Sequence, residues 1–194
     1  MTGAPTKTDL RRRMLAARDL VAPQEAHAAA ATVARSGLAL VRRLCAPGAC
    51  VAAYWPIRSE LSTRPLIEAL HAAGFRMALP TMHSATRILS FRAFAPGDEL
   101  AKGPLGLSEP LAASPSATPD LIFVPLAVFD AAGARIGYGG GHYDATLQAL
   151  RAQGSCVAVG LAYDRQETNS IPAEGHDEKL DFVLTENRLV KVRG

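Results

Sequence analysis

Five glycines fall within nine residues of this 194-residue chain: Gly133, Gly137, Gly139, Gly140 and Gly141. An apolar run at residues 121–126 (LIFVPL) precedes them, and a segment with helical character, about 141–153, comes after. Glycine loses more backbone entropy on folding than any other residue, and a plain turn needs only one or two. A buried strand running through such a loop into a helix is the arrangement by which open α/β sheets present a ligand site at the carboxyl end of a strand. Without side chains, the loop's backbone N–H groups can approach phosphate oxygens, and the helix start adds free N–H groups and a positive dipole end.

The loop excludes two common nucleotide motifs. GxGxxG starting at Gly137 needs glycine at 142, where His142 stands, and a Walker A loop needs a lysine that this stretch lacks. Arg135 supplies a cation instead. Asp144 comes just after the glycines, where it could hold a Mg²⁺ bridging phosphates. A carboxylate there also suits the dipole of the helix with no ligand at all.

The rest of the chain alternates helices and short apolar strands. Helices are expected over residues 8–20, capped by Thr6 or Thr8, over 23–44 with Pro23 in its first turn, and from Ser62 or Thr63 to 73. Strands are expected at 50–54, 75–79 closed by Pro80, 88–94, 156–162, 182–185 and 189–192. Residues 96–119, rich in Pro, Gly, Ser and Ala, read as a long irregular segment. The order strand, loop, helix argues for an α/β sheet with helices on its faces.

Composition narrows the class. At 48% hydrophobic and 20% charged, the chain is not disordered, collagen-like or a coiled coil, and no apolar run is long enough to span a bilayer. The first 18 residues lack the apolar core of a secretory signal, so a cytoplasmic location is expected. A net charge of +3 suits anionic small molecules rather than nucleic acid. Cys45, Cys50 and Cys156 match no zinc or redox spacing and read as reduced and mostly buried. The five histidines form no HExxH pair.

The segment Phe129-Asp130-Ala131-Ala132-Gly133-Ala134-Arg135-Ile136-Gly137-Tyr138-Gly139-Gly140-Gly141-His142-Tyr143-Asp144 resembles the FDxxGxRxGxGxGYYD hallmark of the 5-formyltetrahydrofolate cyclo-ligases. The likeness extends over nearly the whole chain, in order. It includes Lys7-Thr8-Asp9-Leu10-Arg11 for KxxLR, Glu60-Leu61-Ser62-Thr63 for ExxT, Gly106-Leu107-Ser108-Glu109-Pro110, and a tail from Ile171 to Glu186 containing His176-Asp177. Two positions depart from the pattern: His142 stands where the family usually has Tyr, and Gly140 where some relatives carry Lys.

The resemblance implies a single domain, 1–194, with an α/β fold. Its open, mainly parallel sheet would carry helices on both faces in a Rossmann-like, three-layer arrangement. The implied reaction is ATP- and Mg²⁺-dependent closure of 5-formyltetrahydrofolate to 5,10-methenyltetrahydrofolate, through a phosphorylated formyl group. By the same resemblance, Lys7, Thr8, Asp9, Leu10 and Arg11 would bind ATP together with Arg135, Ile136, Gly137, Tyr138, Gly139, Gly140, Gly141, His142 and Tyr143. Arg135 and Tyr143 would be catalytic. Trp55 and Glu60 would bind the folate, Glu60 accepting from the amino and ring N–H groups of the pterin. Asp144 and Asp177 would hold the metal. A monomer acting on two small molecules, with no nucleic acid or membrane partner, is expected. Another ATP-dependent enzyme on this scaffold, or a non-catalytic nucleotide- or folate-binding regulator, are the alternatives. The presence of both Asp144 and Asp177 speaks against the regulator.

Overall fold

The structure, a computed structural model, describes residues 5–154, 156–172 and 177–192. Helix α1 (Lys7–Asp19) begins at Thr6, whose hydroxyl accepts the Asp9 N–H while the Asp9 carboxylate accepts from Thr6 in return. Helix α2 (Pro23–Leu44) opens on a proline, tolerated there because the first-turn N–H has no intrahelical acceptor. Strand β1 (Cys50–Ala52) and helix α3 (Arg64–Ala72) come next, then β2 (Arg76–His83), β3 (Thr86–Ala93), β4 (Leu100–Lys102), β5 (Ser108–Pro110) and β6 (Ser116–Ala117). The second half contains β7 (Leu121–Pro125), β8 (Val128–Phe129), β9 (Arg135–Ile136), α4 (His142–Gln153), β10 (Val157–Leu161), β11 (Phe182–Leu184) and β12 (Leu189–Lys191).

Eight strands form one sheet in the order β12-β11-β10-β7-β1-β2-β3-β6. The five from β11 to β2 are parallel, and antiparallel strands flank them on both sides. Strand β7 shows why its sequence is apolar throughout. Leu121 and Phe123 face a core that includes Val33 and Val41 of α2 and Leu66 and Leu70 of α3, whereas Ile122 and Val124 face a second core with Leu147 of α4. Both faces are covered, so the strand has no solvent side to be polar on. The expected mainly parallel sheet with helices on both faces is what the chain forms. Among the described residues no helix is long and apolar enough to cross a membrane. The three cysteines are free, and burial pushes the Cys156 thiol up to about 11.

The structure departs from the expected elements in four places. Strand β2 does not close at Pro80 but continues to His83, with Pro80 paired opposite Phe91 of β3. The pairing of β1 with β2 ends at Ala78, so beyond it β2 is an edge on that side, where a residue without N–H is tolerated. Residues 96–119 are not simply irregular. They contain the β4–β5 hairpin, and the Glu109 carboxylate of β5 accepts the Met82 N–H at 3.0 Å. Thr63 precedes α3 without capping it by its side chain, because its hydroxyl donates to the Tyr54 carbonyl at 2.6 Å instead. The β8–β9 hairpin within the glycine-rich stretch, two residues per strand, is too short to show any periodicity.

That hairpin turn is organised by Asp130, which is 4% exposed. One carboxylate oxygen accepts the N–H groups of Ala132 and Ala134, each at 3.0 Å, and the other accepts the buried Ile171 N–H at 2.9 Å. Asp130→Ala removes both acceptor oxygens and with them all three hydrogen bonds at once. It is expected to destabilise the protein by about 2–3 kcal/mol. Urea unfolding should show a lower midpoint with an unchanged slope.

Candidate active site

The strand order turns around between β1 and β7: the chain moves outward from β1 to β2 on one side and from β7 through β10 to β11 on the other. A crevice at the carboxyl ends of two such strands is where open α/β sheets bind ligands. The segment leaving β1 carries Trp55 and Glu60, and the segment leaving β7 carries the glycine loop. The sequence-expected residues of both substrates are therefore brought to one end of the sheet.

Helix α1 supplies the third wall. Lys7, Arg11 and Arg18 recur at i, i+4 and i+11, within roughly 40° of one another around the helix. Lys7 pairs with Asp177 at 2.7 Å, and Arg11 Nε donates to the Gly137 carbonyl at 2.8 Å. The Arg11 guanidinium also underlies Gly139, which has a φ of +98°. Between these cations, Leu10 is buried with Ile136, Val128 and Ile171. Thr8 is exposed, and Asp9 caps the helix and pairs with Arg12. The side chains of Leu10, Asp9 and Ile136 thus serve the scaffold, whereas those of Lys7 and Arg11 reach the loop region.

The glycine loop is clamped at both ends. On β9, Arg135 is 8% exposed and pairs with Asp144 of α4 at 2.7 Å, and it also donates to the Glu178 carbonyl. The Glu178 N–H donates to the same Asp144 oxygen at 3.1 Å. Burial draws the Arg135 pKa down while Asp144, Asp177 and Glu178 hold it up, and a guanidinium keeps its proton in either case. At the other end, Gly141 is left-handed with φ of +66° and offers no side chain to cap α4. His142 turns its Nδ1 to the Arg87 carbonyl at 2.9 Å. The Arg87 guanidinium comes within 3.8 Å of the place a Gly141 Cβ would occupy. A groove of about 440 Å³ between the β2–β3 turn and the loop is lined by Met82, His83, Arg87, Gly140 and His142 among others.

Glu60 lies on the opposite flank. Its carboxylate accepts the Ile57 N–H at 2.9 Å, and the Tyr138 hydroxyl lies near enough to lower its pKa. Burial raises its pKa, against the lowering effects of Tyr138, Ile57, Arg18 and Arg58. Tyr54 and Tyr143 lie close enough to feel the Glu60 charge, and burial raises both phenols, so both are neutral. Trp55 meets Phe94 edge-on at 5.6 Å, and the Arg64 guanidinium lies 4.6 Å from its ring centre. The indole is thus packed from two sides. His176 lies outside the described residues.

Several residues at the site escaped the sequence reading as site residues: Arg18, Ser59, Arg87 and Tyr54. For Arg18 a signal existed, its helical phase with Lys7 and Arg11. Arg87 gave none, because the start of β3, 55 residues before His142, meets the loop only in the folded protein.

The fold and the site define an α/β protein with a crevice at the switch point of its sheet and a glycine-rich loop along it. Residues 4–186 match the model of the 5-formyltetrahydrofolate cyclo-ligase family. The chain is 33% identical to the 5-formyltetrahydrofolate cyclo-ligase of Haemophilus influenzae over 81% of its own length and 86% of the relative's. It is 37% identical to that of Escherichia coli over 72% and 79% respectively. Among solved structures, the NMR structure of Aquifex aeolicus 5,10-methenyltetrahydrofolate synthetase superposes with a TM-score of 0.73 at 26% identity, covering 97% of this chain and 93% of that one. The chain belongs to the 5-formyltetrahydrofolate cyclo-ligase family, whose enzymes convert 5-formyltetrahydrofolate to 5,10-methenyltetrahydrofolate.

The Arg135–Asp144 pair gives a stability prediction. Asp144→Ala alone strands a buried guanidinium and is expected to cost about 3 kcal/mol. Adding Arg135→Met to the same chain should recover part of that loss, which denaturant midpoints of the two single variants and the double variant would measure.

Proposed function

We propose that this protein closes 5-formyltetrahydrofolate to 5,10-methenyltetrahydrofolate using MgATP, releasing ADP and phosphate. The observation that carries the reading is the meeting, at one end of the sheet, of a cation-lined glycine loop and a carboxylate suited to a pterin. Lys7, Arg11 and Arg135 surround the loop, and Glu60 faces it from the end of β1 through Tyr138.

The formyl oxygen attacks the γ-phosphorus, ADP leaves, and the formyl carbon becomes an imidoyl phosphate. N10 then attacks that carbon, the ring closes, N10 gives up its proton and phosphate departs. Such a reaction needs positioning and charge neutralisation more than covalent help. In this reading the loop N–H groups and the start of α4 cradle the phosphates, while Lys7, Arg11 and Arg135 balance their charge. Tyr143 stays a neutral phenol beside the loop. Glu60 fixes the pterin by accepting its N–H groups.

Mg²⁺ fits as an ion that arrives with the nucleotide. Among the described residues no three His, Cys, Asp or Glu side chains gather into a metal cage. Mg²⁺ bound to a nucleotide needs only one or two protein carboxylates beside phosphates and waters, and Asp144 and Asp177 would provide them. The ion's contribution is to neutralise charge on the transferring phosphoryl group. We take residues 1–194 as one domain acting as a cytoplasmic monomer on small molecules.

Near-UV absorbance of the methenyl product tests the reaction. Folded protein with 5-formyltetrahydrofolate should show a rise that requires both ATP and Mg²⁺, and no rise would overturn the assignment. Glu60→Gln should raise KM for the folate by about tenfold or more and leave KM for ATP within about twofold. Lys7→Met should do the reverse.

A further inference from the structure

Arg18 is 2% exposed, whereas Arg12 and Arg13 on the same helix face solvent. A buried charge is costly unless it is well satisfied. Its guanidinium donates to two neutral hydroxyls: Nε to Ser59 at 3.0 Å, and a terminal nitrogen to Tyr138 at 2.5 Å. The Ser59 hydroxyl donates onward to Asp19. The guanidinium also lies 5.7 Å from the centre of the Tyr138 ring.

The proton order in this chain of bonds is fixed by chemistry. A guanidinium has no lone pair to offer, so Tyr138 must be the acceptor toward Arg18. The single phenolic proton is then left free to face Glu60, whose pKa the phenol lowers. Burial raises the Tyr138 pKa, which keeps that proton in place. The array runs one way, from cation through phenol to carboxylate. Its middle member sits between Gly137, whose carbonyl Arg11 holds, and Gly139, which lies over the same guanidinium.

We propose that Arg18 and Tyr138 are positioning residues for Glu60, holding its carboxylate aimed at the folate, so that the folate side of the site is set from within the nucleotide loop. The proposal rests on the reading of Glu60 as the folate-binding carboxylate. It assigns the Tyr138 hydroxyl to the folate, although its backbone belongs to the glycine loop.

The groups around Glu60 decide the sign of the pH effect. Its own turn contributes the Ile57 N–H and Arg58; the end of β1 contributes Tyr54; α1 contributes Arg18; the loop contributes Tyr138; α4 contributes Tyr143. The arginines, the Ile57 N–H and the Tyr138 hydroxyl favour the carboxylate, and burial opposes it. Folate capture by ionised Glu60 is lost as pH falls through its pKa. Removing the phenolic proton raises that pKa, so the acid limb of kcat/KM for 5-formyltetrahydrofolate moves to higher pH.

The test is steady-state kinetics across pH for wild type, Tyr138→Phe, Arg18→Lys and Glu60→Gln, each checked for folding by its thermal melt. Tyr138→Phe keeps the half-exposed ring and loses only the hydroxyl. It should raise KM for 5-formyltetrahydrofolate by about tenfold, leave KM for ATP within about twofold, and move the acid limb upward by about one pH unit. Arg18→Lys keeps the charge but cannot serve both hydroxyls as the planar fork does, and should move the limb the same way, less far. If Glu60→Gln impairs folate use while Tyr138→Phe leaves the limb and the folate KM at wild-type values, the positioning role is overturned and Glu60 keeps its place. A rise confined to KM for ATP in Tyr138→Phe overturns it too, by returning the hydroxyl to the nucleotide. If Glu60→Gln itself leaves the folate KM unchanged, the reading of Glu60 falls and takes the proposal with it.

Discussion

Arg135 carries into the protein a charge it cannot release, and two separate segments come together to answer it. Asp144 comes from the first turn of α4, the Glu178 carbonyl from the segment before β11, and the Glu178 N–H closes the group by donating to the same Asp144 oxygen. Arg151, two turns further along α4, then holds Glu178 and Asp181 at 2.6 and 3.0 Å. One buried cation thereby fixes the β8–β9 hairpin, the start of α4 and the approach to β11 relative to each other. A loop with so many glycines can keep a defined shape because both of its ends are held in this way. The entropy lost in ordering it is offset outside the loop, by the pair at Arg135 and by the hydrogen bonds of Asp130.

Helix α1 has an analogous task on the other side of the crevice. Its inward face is mixed: Leu10 packs among apolar side chains while Lys7, Arg11 and Arg18, on the same stripe, reach polar partners. A helix with a wholly apolar inner face would pack against the hairpin equally well but would leave the loop carbonyl of Gly137 and the hydroxyl of Tyr138 unanswered. The parallel strands bring β1 and β7 side by side, and α1 ties together the segments that leave their ends, through Ser59 after β1 and the glycine loop after β7. Geometry set by the sheet and charge set by the helix meet at Tyr138 and Glu60.

Much of this was legible in the sequence. Strands such as β7 and β10 are short apolar runs because they are buried on both faces, and α2 announces itself by Pro23 in its first turn. The loop, the KxxLR segment and the ExxT segment were legible as a family pattern, which gave Lys7, Arg11 and Glu60 their expected places. What was hidden depends on contacts between distant segments. Pro80 reads as the end of a strand until it is known that β1 has already stopped pairing. Thr63 reads as a cap until Tyr54 offers its carbonyl. Glu109 reads as part of an irregular stretch until the Met82 N–H appears beside it. Arg18 is one of many arginines on a basic helix, and only the fold puts Tyr138, 120 residues later, against it.

The closeness of Gly140 to His142 has a consequence for how such a sequence can change. A Cβ at position 140 would lie 2.6 Å from the imidazole ring, which is tied to the Arg87 carbonyl. Any side chain introduced at 140, a lysine included, therefore has to displace the ring or arrive after it has gone. A side chain at 140 and the present seat of His142 exclude each other, so the orientation of the ring at 142 decides what 140 can carry.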